Sequence, residues 1–381
     1  MFSGVYLHIP FCRSRCSYCD FATEVFKSGE AVEHYVSALV KEIERFENDC
    51  DFADARASAW IDTIYFGGGT PSLLSPTQLE KILDSIRKKF SVDANSEITM
   101  EMNPATVTPE TLREYKNLGV NRASFGAQTF DDAELKRLGR RHTAQDVRET
   151  IELLRKAGFD NVSFDLIAGL PRQTLADWKK NLDEALKLKP EHLSLYLLEI
   201  HEATPLAQQI RSGRQPLPDE NLAAEMYELM REKVSANGYE QYEISNFCLP
   251  QLESKHNSKY WTLDAVFGFG CSAHSFDGKN RRWANERDTA RYVNQIEKNN
   301  SSIAQTEEIN AASEFVFLGL RLTQGINLQM YKNRFGLDLR QQYAEDFERL
   351  REFGLIEFDA DCLKLTEKGM VFSNEVFAIF V

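Results

Sequence analysis

Three cysteines near the N-terminus have the spacing of a metal-binding loop. Of the seven cysteines in the chain, Cys12, Cys16 and Cys19 share the single stretch CRSRCSYC. A cuboidal [4Fe–4S] cluster is normally held by four thiolates, one on each iron. Three thiolates on one short loop would leave one iron without a protein ligand and free to bind a small molecule. The spacing therefore favours an iron–sulfur cluster with one open iron.

Zinc is the main alternative for this loop. Structural zinc sites usually take four ligands from two separated pairs, and the chain has no second closely spaced pair of cysteines. A zinc site completed by a distant histidine or cysteine stays open at this point, as does a structural role for buried thiols. The remaining cysteines are scattered and are interpreted as ordinary thiols: Cys50, Cys248, Cys271 and Cys362.

A glycine-rich stretch, YFGGGTPS at 65–72, follows the second strand-like run. Glycines let the backbone come close to a ligand and expose its N–H and C=O groups. A phosphate-binding loop would need Gly-Lys-Ser or Gly-Lys-Thr, which is absent here. The stretch therefore predicts a close backbone approach to a ligand other than a nucleotide phosphate.

Four polar side chains stand at or near the ends of later strand-like runs: Glu101, Gln128, Arg140 and Asp165. Glu101 alternates with apolar neighbours, so it is either a salt-bridge partner inside the fold or a ligand contact. Taken singly, each of the four would more often be structural. Because successive parallel strands present their ends to one shared site, we expect the four to lie together.

Alternating strands and helices must position these residues. Six runs rich in β-branched or aromatic residues predict strands at 4–9, 61–66, 97–102, 121–126, 161–167 and 192–199. Amphipathic runs between them predict helices at 33–46, 75–90, 108–119, 144–158 and 174–188. The alternation implies a parallel sheet with right-handed crossovers. Six units are fewer than the eight of a closed barrel, so the predicted fold is α/β, a partial (β/α)6 TIM-like barrel.

The pattern changes after about residue 210. One further helix is predicted to end at Gly238, and residues 239–275 are expected to be irregular. From about residue 308 the sequence predicts a helix, a short hairpin and a further helix. This order resembles a winged-helix-like α+β module. The predicted domains are a partial barrel at 1–238, a connector at 239–300 and the C-terminal module at 301–381.

Composition limits the class of function. The chain has 381 residues and a formal net charge of −13, which argues against broad nucleic-acid binding. The basic run LKRLGRRH at 135–142 is equally well interpreted as a solvated helix end. No apolar run approaches the roughly 20 residues of a membrane span. The N-terminus lacks the features of a signal peptide, so a cytoplasmic protein with reduced thiols is expected.

The cysteine motif after a first strand resembles the radical S-adenosylmethionine (SAM) superfamily. The resemblance implies that the three cysteines bind a [4Fe–4S] cluster whose fourth iron chelates SAM, and that one electron then cleaves the sulfonium bond to a 5′-deoxyadenosyl radical. It implies that the glycine stretch grips the methionine amino group, that Arg140 meets the SAM carboxylate and that Asp165 bonds a ribose hydroxyl. The SAM-binding residues expected by this resemblance are Tyr6, Tyr18, Gly68, Gly69, Thr70, Glu101, Gln128, Arg140 and Asp165.

Four longer strings are similar to the oxygen-independent coproporphyrinogen III oxidase family: YLHIPFCRSRCSYCDF, YFGGGTPSLL, SFGAQTF and DLIAGLPRQT. The similarity covers most of residues 4–280. The true oxidases carry a fourth cysteine two positions after the third, where this chain has Phe21, and an N-terminal extension that is not expected here. The HemW-type heme chaperone branch carries CDF after the cluster and His-Asn-x-x-Tyr-Trp. Both occur here, at 19–21 and 256–261.

The resemblance implies that His256 binds heme, because a neutral imidazole is a good axial ligand for heme iron. Tyr260 and Trp261 would add aromatic surface for the porphyrin. The structural alternative is that His256 and Asn257 form hydrogen bonds in an irregular connector while both aromatic residues pack in the core.

The expected function is therefore a heme chaperone that binds heme and transfers it to acceptor hemoproteins, including membrane-bound respiratory proteins. It would use the cluster and SAM, with an electron donor such as flavodoxin or ferredoxin, without net coproporphyrinogen oxidase activity. A homodimer and a peripheral position at the membrane are compatible with the sequence. Two alternatives remain: radical decarboxylation of coproporphyrinogen III, and a radical SAM enzyme acting on an unknown substrate.

Overall fold

The computed structural model describes residues 2–46, 60–359 and 361–380. Cys50 lies outside these ranges. The strands are β1 (Phe2–Ile9), β2 (Phe11–Cys12), β3 (Glu24–Val25), β4 (Trp60–Gly68), β5 (Ser91–Met102), β6 (Arg122–Gln128), β7 (Val162–Ala168), β8 (His192–Leu197), β9 (Glu240–Gln241), β10 (Asn246–Cys248), β11 (Val266–Phe269), β12 (His274–Phe276), β13 (Arg281–Asn285), β14 (Ile303–Glu308), β15 (Ile326–Asn327), β16 (Ile356–Phe358) and β17 (Cys362–Leu365).

One open sheet of twelve strands forms the body of the molecule, in the order β14-β13-β12-β11-β1-β4-β5-β6-β7-β8-β10-β9. The six predicted strands are β1 and β4 to β8, and they pair side by side in parallel. Strand β6 is buried along almost its whole length, as expected of a parallel strand covered on both faces. The predicted α/β fold with a partial barrel is confirmed, and its strands present their carboxyl ends at one edge.

The helices that cover the sheet begin at the residues that their caps predict. Ser75 and Thr108 each form a capping box, with proline at the first helical position, and Gly119 ends its helix in the left-handed conformation. The helices are α1 (Gly29–Arg45), α2 (Pro76–Lys89), α3 (Pro109–Leu118), α4 (Asp132–Arg137), α5 (Ala144–Lys156), α6 (Leu175–Lys187), α7 (Pro205–Arg211), α8 (Glu220–Ser235), α9 (Lys255–Trp261), α10 (Thr289–Glu297), α11 (Ala311–Gly319), α12 (Leu328–Phe335), α13 (Leu339–Gln342), α14 (Ala344–Glu352), α15 (Glu367–Val371) and α16 (Ser373–Phe377).

The expectation that residues 239–275 are irregular is wrong. This stretch forms β9, β10, α9, β11 and the start of β12. Strand β11 pairs in parallel with β1 on the side opposite to β4, so the barrel has a seventh parallel strand. The four residues Val-Phe-Gly-Phe are too few, and too interrupted by glycine, to show a strand periodicity in the sequence. Helix α9, in the same stretch, packs against the barrel and contacts β1 and β4.

The C-terminal part contains helices and the three-stranded sheet β15-β17-β16, in which β16 and β17 form the predicted hairpin. It packs against α9. The Arg321 guanidinium lies 4.4 Å from the ring centre of Trp261, and Arg334 donates hydrogen bonds to the carbonyls of Thr262 and Leu263. In the ranges that the structure describes, no helix is long and apolar enough to cross a membrane.

Candidate functional site

The cysteine loop is anchored at both ends beyond the carboxyl end of β1. Cys12 ends the short strand β2, which pairs with β3 and so closes the loop between them. The Ser17 amide donates to the Leu138 carbonyl at 2.8 Å, and the Cys19 amide donates to the Cys16 carbonyl at 3.3 Å. The thiols of Cys12, Cys16 and Cys19 are free and half-buried. The loop therefore holds three thiols in a fixed and accessible arrangement.

Burial dominates the electrostatics of the cysteine loop. Together with the neighbouring Cys16 and Cys19, and against a hydrogen bond from Thr70, it raises the pKa of Cys12 to about 11, so this thiol is protonated at neutral pH when no cation is bound. In the described ranges, no group of three or more His, Cys, Asp or Glu side chains is arranged to hold a metal ion. A polynuclear cluster takes one thiolate per iron, so three thiols on one loop could each bind a different iron of such a cluster.

The glycine stretch lies directly against the end of β1. Gly68 has a φ of +107°, and a Cβ there would lie 2.7 Å from the His8 ring. At Gly69 a Cβ would lie 2.7 Å from the Pro10 backbone, and the Gly69 amide donates to the Ile9 carbonyl. The Thr70 hydroxyl then reaches the Cys12 sulfur at 3.6 Å. The absence of side chains thus allows the stretch to contact the cysteine loop, whereas its approach to a ligand stays a prediction.

Glu101 lies beside this stretch and is half-buried. It accepts hydrogen bonds from the Tyr65 hydroxyl at 2.8 Å and from the Gly68 amide at 3.1 Å. Burial raises the pKa of Glu101 to about 7, an effect that Tyr65 opposes and the neighbouring Asp165 strengthens. A cation placed here would lower that pKa, because it favours the ionised carboxylate. The carboxyl is therefore suited to contact a positively charged ligand.

Arg140 connects the cysteine loop to the ends of the middle strands. Its guanidinium lies 3.6 Å from the Cys16 sulfur and donates to Asn103 Oδ1 at 2.8 Å and to the Gly126 carbonyl. Gly126 stands opposite Asp165 in the sheet. Burial raises the pKa of Asp165, whereas a hydrogen bond from Ser194 and then the charges of Arg122 and Arg140 lower it. Arg140 thus contacts the cysteine loop and lies near enough to Asp165 to influence its charge.

The remaining expected SAM contacts lie around the same space. Gln128 is almost buried at the end of β6, in the left-handed region with φ +64°. The Tyr6 hydroxyl donates to His8 Nδ1 at 3.1 Å, and its ring stacks on Tyr65. Tyr18 packs on the small apolar cluster that contains Leu138. The structure therefore brings together the loop, the glycine stretch and the polar residues at the strand ends.

Sequence reasoning missed Asn103, which joins two halves of the site. Its side-chain amide donates to the Thr70 hydroxyl at 2.7 Å, while its carbonyl oxygen accepts from Arg140. Asn103 lies two positions after Glu101, and residues two apart in an extended segment point to the same side. This spacing could have identified Asn103 from the sequence.

His256 is more enclosed than the resemblance led us to expect. It lies on α9, is 1% exposed, and both ring nitrogens have partners: Nδ1 lies 2.9 Å from Thr63 Oγ1, and Nε2 lies 3.1 Å from the Tyr260 hydroxyl. The imidazole stacks on Tyr65 at 5.0 Å. Burial, followed by the charge of Lys259, lowers its pKa to about 3, so the ring is neutral. Both imidazole nitrogens therefore have protein partners in this arrangement, and heme binding by His256 stays a prediction.

The two aromatic residues of the same motif differ in their surroundings. Tyr260 is 38% exposed, whereas Trp261 lies under Arg321 of the C-terminal part. Tyr260 is therefore the member of the pair whose ring can meet a ligand.

Glu101→Gln is expected to weaken SAM binding and to remove part of its pH dependence. Since the pKa of Glu101 is about 7, the wild-type carboxyl gains a proton as the pH is lowered through that value. SAM is positively charged at sulfur, so its affinity for the wild type should fall over the same range. At alkaline pH the variant should bind about 10-fold more weakly. Calorimetric titration of the reconstituted proteins with SAM at several pH values would test this. If the affinity of the wild type and of the variant depended on pH in the same way, Glu101 would not be a SAM contact.

Comparison with known protein families gives two matches. The model of the radical SAM superfamily matches residues 6–185, and the model of the HemN C-terminal domain matches residues 307–372. The first range contains the cysteine loop and every expected SAM contact.

Several relatives are similar along their whole length. The protein named heme chaperone HemW from Bacillus subtilis (strain 168) is 37% identical, and the alignment covers 99% of each chain. The protein of the same name from Escherichia coli (strain K12) is 33% identical over 99% of this chain and 98% of its own. Among solved structures, the coproporphyrinogen III oxidase HemN from Escherichia coli matches with a TM-score of 0.83 and 22% identity, covering 100% of this chain and 89% of that chain. At that identity the structural likeness shows the fold alone.

Proposed function

This chain belongs to the HemW family of the radical SAM superfamily, and we propose that it is a heme chaperone, which binds heme and transfers it to acceptor hemoproteins. The observation that carries the proposal is full-length similarity to relatives named heme chaperone HemW. The motifs CDF at 19–21 and HNSKYW at 256–261 support it. The helix formed by the second motif presents one exposed aromatic ring, that of Tyr260, which can meet a porphyrin.

The cofactors that we propose are a [4Fe–4S] cluster on Cys12, Cys16 and Cys19 and SAM beside it. When bound, the cluster would supply an open iron and a transferable electron. The chain's own residues would orient the cluster ligands and balance the charge of this site. Thr70 contacts the Cys12 sulfur and Arg140 contacts the Cys16 sulfur, whereas Glu101 would offer a carboxylate to a cation. The proposed SAM contacts are Tyr6, Tyr18, Gly68, Gly69, Thr70, Glu101, Gln128, Arg140 and Asp165.

We propose that SAM and the cluster control oligomeric state or heme transfer and do not drive a net reaction on coproporphyrinogen III. The position that carries a fourth cysteine in the oxidase branch is Phe21, whose side chain is 68% exposed next to the loop. An apolar side chain cannot bind iron or donate a proton. The likeness to the oxidase structure is one of fold and transfers no activity to this chain.

The partners that we propose are heme, acceptor hemoproteins that include membrane-bound respiratory proteins, and an electron donor such as flavodoxin or ferredoxin. Nucleic acid is not among them, and a homodimer remains part of the proposal. The proposed compartment is the cytoplasm, where free thiols stay reduced, with a peripheral position at the membrane during transfer. The division of the chain at residues 238 and 300 also stays a proposal.

Anaerobic titration of the reconstituted protein with hemin is expected to give saturable binding with a shifted Soret band. In a parallel incubation with coproporphyrinogen III, SAM and a reductant, no decarboxylated porphyrin should form. An authentic coproporphyrinogen oxidase serves as the positive control. Stoichiometric decarboxylation would instead identify the oxidase alternative, and 5′-deoxyadenosine together with a non-porphyrin product would identify an enzyme with another substrate.

A further inference from the structure

The basic run at 135–142 packs directly against the cysteine loop. The Ser14 hydroxyl donates to the Gly139 carbonyl at 3.4 Å, and the Ser17 amide donates to the Leu138 carbonyl at 2.8 Å. From the sequence, this run could equally be a solvated helix end. In the structure it is part of the support of the loop, so its charges lie next to the proposed cluster ligands.

The exposed cations of these two segments form a basic surface beside the thiols. Residues 13–17 and 135–142 together contain six Lys and Arg residues and no Asp or Glu, although the whole chain has a net charge of −13. Arg140 contacts the Cys16 sulfur, whereas the other five side chains are exposed to solvent. The basic surface is defined by these five: Arg13, Arg15, Lys136, Arg137 and Arg141.

Most cations of the basic surface have no acidic partner within the protein. Arg137 lies 3.9 Å from the Glu134 carboxylate. In the part of the chain that the structure describes, the other four form no ion pair: Arg13, Arg15, Lys136 and Arg141. An acidic partner could therefore pair with them without first breaking an internal salt bridge.

An exposed aromatic side chain adjoins the basic surface. Phe21 follows the third cysteine by two positions and is 68% exposed. Arg15, Phe21 and Arg287 border the same concave part of the surface. Interfaces between redox proteins are small and transient, and complementary charges give such encounters their orientation and their association rate. A cationic surface with one aromatic contact suits a partner of this kind.

We propose that the basic surface is the docking site of an acidic one-electron donor protein of the flavodoxin or ferredoxin class. This inference rests on the proposed [4Fe–4S] cluster. Arg13 and Arg15 lie on the same short loop as the cluster ligands, so a donor docked there would come close to the cluster. One electron would leave the reduced donor and enter the cluster, whose formal charge falls from 2+ to 1+. No covalent bond forms or breaks in this step.

A small protein fits this surface better than an extended polyanion does. Nucleic acid or an anionic membrane would meet the acidic remainder of the molecule as well, and the net charge of −13 opposes that contact. A small donor needs to meet only the five cations and the adjoining ring. The basic surface also lies where an electron is needed, beside the three thiols.

Charge reversal at the basic surface tests the proposal with flavodoxin as the donor. Arg15→Glu and Arg141→Glu change one exposed cation each, in different segments. Arg351→Glu is the matched control, because Arg351 is equally an exposed arginine but lies on α14 of the C-terminal part. Calorimetry would measure flavodoxin binding to the reconstituted proteins, and stopped-flow absorption would measure the rate at which flavodoxin hydroquinone reduces their clusters.

Each reversal at the basic surface should weaken flavodoxin binding about 10-fold and slow the reduction by flavodoxin about 10-fold. The control should behave like the wild type, whose affinity for flavodoxin should fall as salt is added. Reduced methyl viologen, a small cation that needs no docking site, should reduce the cluster of all four proteins at equal rates. Equal iron content identifies variants whose cluster is intact.

Four results would overturn the inference. Wild-type affinity in both reversal variants would place the donor elsewhere, and an equal loss in Arg351→Glu would reduce the effect to net charge. Failure of flavodoxin to bind a wild type whose cluster methyl viologen reduces would reject the docking site and leave the cluster proposal standing. Binding to phosphatidylglycerol vesicles that the reversals abolish, without flavodoxin binding, would assign the surface to a membrane. A wild type that incorporates no cluster would reject the proposed cofactor, and the inference with it.

Discussion

Cys16→Ala is expected to abolish cluster incorporation while the fold survives. With three thiolates the loop can bind three of the four irons, and removal of one leaves half of the irons without a protein ligand. Cys16 is the thiol that Arg140 contacts at 3.6 Å, so its loss also removes the sulfur that this half-buried guanidinium faces. Since the side chain is half-buried and lies on a loop, its truncation should cost little folding free energy.

The measurement is iron and sulfide content after anaerobic reconstitution, together with the visible absorption spectrum. Cys362→Ala is the matched control, because Cys362 is also a half-buried free thiol but lies in the C-terminal hairpin. The control should reconstitute like the wild type. A full iron–sulfur spectrum in Cys16→Ala would show that Cys16 is not a ligand.

Gly69→Ala is expected to disturb the contact between the glycine stretch and the cysteine loop. The added Cβ would lie 2.7 Å from the Pro10 carbonyl carbon and 2.8 Å from the Phe11 oxygen. Both are backbone atoms, so no side-chain rotation can relieve the clash, and the strand that carries Cys12 must shift. Forcing extra atoms into a packed site typically costs about 1–3 kcal/mol. We therefore expect a lower unfolding temperature and a lower yield of cluster.

Gly29→Ala is the control for this substitution. A Cβ at Gly29 would have nothing within 4 Å, and the residue opens helix α1. Alanine in a compatible helical position stabilises by about 0.4–1 kcal/mol. Calorimetry should therefore show a lower unfolding temperature for Gly69→Ala and a higher one for Gly29→Ala. The iron content should fall in Gly69→Ala alone. Equal unfolding temperatures for both would mean that the chain near Gly69 moves freely, against the close packing described above.

The sequence predicted the parts of the fold that repeat. The six strands are rich in β-branched or aromatic residues and are separated by amphipathic helices, and caps such as Ser75 and Thr108 mark where two of those helices begin. The same regularity placed the site, because parallel strands bring distant residues such as Glu101 and Asp165 to one edge. These features are local and periodic, so they can be recognised without a structure.

The features that were missed depend on contacts between distant segments. Strand β11 is recognisable only by its pairing with β1, and Asn103 only by its two partners across the site. The motif HNSKYW drew attention to the segment that forms α9, but sequence cannot tell which of its side chains faces outward. That depends on how α9 packs between β4 and the C-terminal part, which buries His256 and leaves Tyr260 exposed.

The most direct test of the chaperone proposal is the rate at which hemin moves from the loaded protein to a heme-free b-type cytochrome. Spontaneous hemin loss, measured with an excess of a heme-scavenging protein, gives the baseline. The account predicts a transfer rate that exceeds this baseline and rises with the concentration of the acceptor, because heme would pass within a complex of the two proteins. A rate equal to spontaneous loss at every acceptor concentration would contradict it.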